Sequence, residues 1–172
     1  MTHDALAHEC FPFRALEVGV LHIPGQAPAD TASRIGQVVV VGDTLVMHGY
    51  GATRSDFSDG DAYQLWRSTQ QLSALSPEMR LWMWDDFKVP GGDRFAWESA
   101  AAEQRSSNSY VEKDKIEDDF LGFRTARDTT LAEPARLPKS TQFDICAGQF
   151  PSAEASSFRY LVILVEAKNP AL

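Results

Sequence analysis

Residues 36–50 read Gly36-Gln37-Val38-Val39-Val40-Val41-Gly42-Asp43-Thr44-Leu45-Val46-Met47-His48-Gly49-Tyr50. Four consecutive β-branched residues favour an extended strand, and a run apolar at every position suits a strand covered on both faces. Gly42-Asp43 comes next, with glycine where a type II′ turn requires it. Thr44–Tyr50 then reads as the returning strand, so the stretch is expected to be a hairpin.

Working outward, Arg14–Ile23 reads as a strand ended by Pro24-Gly25, and Gln26–Ser33 as a loop. Asp56–Asp61 is a polar turn. Ala62, Leu65, Trp66, Leu72 and Leu75 recur at helical spacing after it. Ser58 or Asp59 would cap that helix, and Ser76-Pro77 would stop it. Met79–Val89 is expected to be a strand, Phe95–Arg105 a helix, and Glu112–Leu121 a shorter charged helix or irregular segment. Phe123–Thr130 reads as a strand and Glu133–Lys139 as a loop. Gln142–Phe150 and Phe158–Glu166 read as the last two strands. Strands and helices do not alternate regularly, which argues against a doubly wound parallel sheet. The expected class is α+β: a mostly antiparallel sheet or partial barrel, with a cupin-like barrel within that range, and a few surface helices. A chain of 172 residues is expected to form one β-rich domain, 1–172, with a loose tail over about residues 1–12.

The net charge is −8. An acidic chain lacks the basic face that displaces counterions from phosphates or docks on anionic lipid. Neither nucleic acid nor a membrane is therefore an expected partner. Cys10 and Cys146 form no CxxC pair. The N-terminus has no basic segment leading into an apolar one, so the cytoplasm is the expected compartment. The four histidines, His3, His8, His22 and His48, show no HxH or HxxxH spacing. A non-haem iron site would have to join His22 and His48 with Asp43 or Asp56. The spacing does not support it, and no metal ligand or catalytic residue is assigned. Asp85 and Asp86 are adjacent on an expected strand, so their side chains would diverge.

Leu81-Trp82-Met83-Trp84-Asp85-Asp86-Phe87 is the most unusual run. On a strand Trp82 and Trp84 share a face and make a flat aromatic wall with indole N–H donors. They are the candidate substrate-binding residues, and the competing account is a place in the core.

His48–Trp66, Trp82-Met83-Trp84-Asp85-Asp86, Pro90-Gly91-Gly92-Asp93-Arg94-Phe95-Ala96-Trp97 and Phe123–Lys139 together resemble the small subunit of two-component hydroquinone 1,2-dioxygenases. The resemblance covers most of the chain except the tail. It implies a non-metal-binding subunit of an oxidoreductase, with no cofactor of its own. A larger cupin-type partner would carry Fe(II) and cleave an aromatic small-molecule substrate in a hetero-oligomer. Trp82 and Trp84 would then wall the partner's pocket. Two other functions fit the composition: a stand-alone small-molecule-binding β-barrel, and an acidic protein-interaction or immunity protein.

Overall fold

The computed structural model describes residues 9–56, 59–86, 88, 95–112 and 115–132. All the elements below lie within one compact unit, Met1–Thr130. They comprise β1 (Cys10–Phe13), β2 (Leu16–His22), β3 (Thr31–Ile35), β4 (Val38–Gly42), α1 (Ala62–Ser73), β5 (Arg80–Met83), β6 (Glu98–Ala100), α2 (Ala101–Ser107) and α3 (Glu117–Asp128). The class is α+β with a mixed sheet in the order β1-β2-β3-β4-β5-β6. Only the β4–β5 pairing is parallel among these six strands. Among the described residues the sheet is open, with β1 and β6 at separate edges, so it does not close into a cupin-like barrel.

The hairpin expected over 36–50 is replaced by different pairings. Val38–Gly42 pairs backward with β3 and forward, in parallel, with β5. Beyond it, Leu45 keeps one isolated bridge to Ala52. β3 falls partly on the expected loop, and β1 on the expected tail. The parallel pairing needs a crossover, because a tight turn cannot join parallel strands. Helix α1 lies in that crossover. Val39, Val41, Leu81 and Met83 point to one face and are buried, with Leu65, Trp66 and Leu72 of α1 in the same core. Val38 and Val40 point the other way and are only half-buried.

α1 matches the expected helix, but its cap is Asp61. The Asp61 carboxylate accepts from the backbone N–H of Tyr63 at 2.8 Å and of Gln64 at 3.2 Å. Glycine is required at Gly25: its φ is 148°, and an added Cβ would overlap the backbone of Leu65. β6 and α2 divide the segment expected to be one helix. Ser99 is drawn into the sheet opposite Leu81. Glu103 then accepts from the Ala100 N–H, which starts α2.

The strand expected over Phe123–Thr130 is instead the second half of α3. Its buried side chains are Phe120, Arg124 and Asp128, spaced four apart. Two of the three are charged, so no apolar stripe marks the helix. Arg124 and Asp128 form a buried ion pair at 2.6 Å, with side chains 4% and 7% exposed. Arg124 Nη1 also donates to the carbonyls of Ala52 and Thr53, both at 2.9 Å. Asp128 accepts from the Ser55 N–H at 3.0 Å and from its hydroxyl at 3.2 Å. The pair therefore ties α3 to the 52–55 loop. The two expected strands at Gln142–Phe150 and Phe158–Glu166 fall outside the described residues.

These contacts predict two outcomes. Arg124→Met leaves Asp128 as an uncompensated buried charge and should cost about 3–5 kcal/mol, read by urea unfolding. Asp61 titrates in the opposite sense to a buried acid. The hydrogen bond from the Gln64 side chain, with those from the Gln64 and Tyr63 N–H groups, lowers its pKa below the ordinary 3.8. A depressed acid contributes stability above its unfolded pKa and loses it as pH falls through the folded one. Asp61→Asn keeps the cap but removes that titration. Its stability relative to the parent should rise as pH drops below about 4; an unchanged difference between pH 6 and pH 3 would refute the assignment.

Candidate functional site

The parallel strands β4 and β5 end side by side, and the residues after them open into a cavity of about 270 Å³. Gly42, Asp43 and Thr44 enter it from β4, and Trp84 from β5. The opposite rim is the loop carrying Gln26 and Asp30. The β4–β5 register shifts between Val40 and Gly42, and Gly42 has φ 59°. Such a bulge bends the strand end and re-aims the residues just beyond it. Trp84 N–H donates to the Gly42 carbonyl at 3.3 Å, joining the two strand ends just beside Asp43.

α1 holds the far rim. Ser68 Oγ donates to the Pro24 carbonyl at 2.6 Å, and the Asp61 N–H donates to the Gly25 carbonyl at 2.8 Å. Within the loop, the Asp30 carboxylate accepts from the Ala27 N–H at 2.9 Å. Two bonds to backbone carbonyls, from the crossover helix and its cap, therefore fix the loop that faces Asp43.

Asp43 is the chemically exceptional residue. Its Oδ1 is buried with no hydrogen-bond partner among the described residues. Burial, and then the negative charges of Asp85 and Asp30, raise its pKa above the ordinary value. Acids near one another disfavour joint ionisation, and perturbed acids in a cleft mark functional sites. The available donors are carboxylate and amide oxygens, the type that hard divalent cations take. Among the described residues, however, no three His, Cys, Asp or Glu side chains converge on one point.

The two tryptophans differ in their surroundings. Trp84 is 73% exposed and lines the cavity. Trp82 is 38% exposed; its indole N–H donates to Glu98 at 2.8 Å, and the Arg80 guanidinium lies 5.6 Å from its ring centre. The His22–His48 site is not assembled among the described residues. His22 Nε2 is bonded to the Pro28 carbonyl at 2.8 Å. The His48 Nδ1 is buried without a hydrogen-bond partner among the described residues. Asp56, the alternative ligand, is paired with Arg54 at 2.6 Å. Asp85 and Asp86 do part company: Asp86 accepts from the Lys88 and Ala96 N–H groups, while Asp85 is exposed. Sequence reasoning raised Asp43 only as a third ligand to the histidines. The available signal was an aspartate directly after an all-apolar strand, hidden there by its reading as a turn residue.

No family model matches the chain. It is 36% identical over 163 residues to a probable metallo-hydrolase of Burkholderia pseudomallei, covering 89% of this chain and 55% of that protein. The chain spans 35% to 55% of the length of the curated relatives it matches. The crystal structure of ETHE1 from Myxococcus xanthus superposes with a TM-score of 0.71 at 23% identity, over 83% of this chain and 59% of that one. A metallo-β-lactamase from Staphylococcus aureus gives 0.65 at 16% identity, over 80% and 42%. The chain therefore has the metallo-β-lactamase fold over most of its length.

These findings overturn the resemblance to a hydroquinone dioxygenase small subunit. The relative aligned across the chain is by name a metallo-hydrolase, not a subunit of a ring-cleaving oxidoreductase. The hetero-oligomer with a larger cupin-type partner falls with it. So does the expectation that this chain is metal-free and that Fe(II) sits on that partner. The stand-alone barrel has no closed sheet to support it among the described residues. No helix among the described residues is long and apolar enough to cross a membrane.

The crowding of acids around Asp43 predicts a stabilising substitution. Asp43→Asn removes a half-buried charge from beside Asp30 and Asp85 at nearly constant volume. Its melting temperature at pH 7 should exceed the parent's by a few degrees, about 1 kcal/mol in a domain of this size. A lower melting temperature would mean that an unrecognised partner holds the Asp43 carboxylate.

Proposed function

We propose that this chain carries part of the active site of a metallo-hydrolase of the metallo-β-lactamase fold, with Asp43 as a metal ligand. The buried, unpartnered Oδ1 of Asp43 at the paired ends of β4 and β5 supports this reading most directly. A cation there would offset the burial, and then the repulsion from Asp85 and Asp30, that raise the Asp43 pKa. Asp85 and Asp30 add negative potential, and Gln26 offers an amide on the facing rim. The chemistry a divalent cation supplies when bound is a hydroxide nucleophile at neutral pH and polarisation of a carbonyl or phosphoryl oxygen. The residues of this chain hold and orient. Asp43 presents its oxygen from a backbone fixed by the bond between Trp84 and Gly42, and α1 keeps the Gln26 loop opposite. The relative named as a metallo-hydrolase aligns over most of the chain, which supports the class of activity.

The test is metal binding by the chain itself. Mn²⁺ or Zn²⁺ at a hundredfold excess over its dissociation constant should stabilise the parent by about 2.7 kcal/mol in thermal unfolding. Asp43→Asn, folded at least as well, should lose most of that shift, and Arg34→Gln, outside the cavity lining, should keep it. Equal shifts in the parent and Asp43→Asn, or no shift in the parent, would refute the metal-ligand reading.

A further inference from the structure

We propose that Trp84 is a substrate-recognition residue: its indole is the surface against which the apolar part of the substrate rests while the polar end reaches Asp43. This rests on reading the Asp43 cavity as the hydrolase site. Four observations carry it. Trp84 is 73% exposed, the most open large apolar side chain among the described residues. It lines the same cavity as Asp43, Asp30 and Gln26, together with the half-buried Val40, so indole and valine surface border the acidic end. Its backbone is held on both sides, by its own N–H to the Gly42 carbonyl and by the Met83 N–H to the Trp97 carbonyl at 2.8 Å. The point from which the indole projects is fixed in this way, and a tryptophan side chain has only two χ angles to order when a ligand settles on it. Finally, among the described residues the Trp84 ring has no hydrogen-bond partner or ring contact. The neighbouring Trp82, by contrast, is committed to Glu98 and Arg80.

The cavity therefore fits a substrate with two ends: a metal-ligating polar head and an aliphatic, acyl-like portion. The polar head is common to hydrolase substrates, and the apolar portion is what Trp84 would select. Trp84 touches neither Asp43 nor the metal in this account, so its loss should alter selectivity and spare metal affinity.

The experiment compares hexanohydroxamate with acetohydroxamate on the Mn²⁺-loaded chain by calorimetry. Burying about half of four extra methylenes predicts roughly tenfold tighter binding of the longer probe. Trp84→Ala should reduce that ratio to less than about twofold, and Trp84→Phe should retain most of it. Metal affinity, titrated separately, should be the same in all three proteins. Failure of the parent to bind Mn²⁺ would refute the metal reading alone. The selectivity is then read on the metal-free chain with hexylamine against methylamine, whose ammonium groups the acidic cavity attracts. The inference is overturned if the parent shows no chain-length preference, if Trp84→Ala keeps the parental ratio, or if no probe binds under either condition.

Discussion

The parallel pairing of β4 with β5 is the constraint on which the rest of the molecule depends. Antiparallel neighbours can be joined by a tight turn, but parallel neighbours require the chain to travel back along the sheet. Here the return path contains α1, whose Leu65, Trp66 and Leu72 close over Val39, Val41, Leu81 and Met83. The same geometry places the C-terminal ends of both strands together. Asp43 and Trp84, remote in sequence, therefore leave the sheet side by side, and the bond between Trp84 and Gly42 holds them there. Ligand sites form where loops leave the carboxyl ends of neighbouring parallel strands. The crossover helix builds the core on one side and, through Ser68 and Asp61, anchors the loop that faces the cavity.

The charges of the domain divide into two groups with opposite consequences. Around α3, Arg124 and Asp128 are buried and engaged with carbonyls from Ala52 and Thr53 and donors from Ser55. A buried pair of that kind seldom adds much net stability, yet removing one member is costly. It fixes where α3 sits against the 52–55 loop. Around Asp43 three acids share a small volume, and no cation among the described residues is paired with Asp43. That arrangement disfavours the folded state when all three are ionised, and it persists because the rest of the domain tolerates it. Local disadvantage concentrated at one cleft is the usual sign of a site kept for binding rather than for folding.

Much of the local structure could be read from residue pattern. The amphipathic face of α1 and the extended character of Val38–Val41 both came from periodicity. The pairing of Val38–Val41 did not, because an apolar run does not say whether its neighbours are antiparallel or parallel. Gly42-Asp43 looked like a hairpin turn on local chemistry, and the long-range pairing with β5 overrode it. α3 escaped recognition because its buried face is Phe120, Arg124 and Asp128, two of them charged. The helix is specified by an ion pair four residues apart and by the acidic first turn of Glu117, Asp118 and Asp119, which complements the helix dipole. The cavity was legible only in fragments. Trp84 and Asp43 were both singled out, but nothing local indicated that they meet.

The two tryptophans show how little periodicity says about surroundings where the chemistry begins. Alternation places Trp82 and Trp84 on one face only while the chain remains a strand. β5 ends at Met83. Trp82, still within the ladder opposite Glu98, keeps its place on the sheet face and bonds to that glutamate. Trp84 is one residue past the end; its backbone bonds to Gly42, and its exposed side chain lines the cavity. The same holds for Asp43, one residue past the end of β4. Residues that leave a strand are released from its two-sided pattern and become free to converge with residues leaving the next one. A sequence pattern is strongest inside elements, where packing enforces it, and weakest at their ends. In a sheet with a parallel pair, those ends are where a cleft can form.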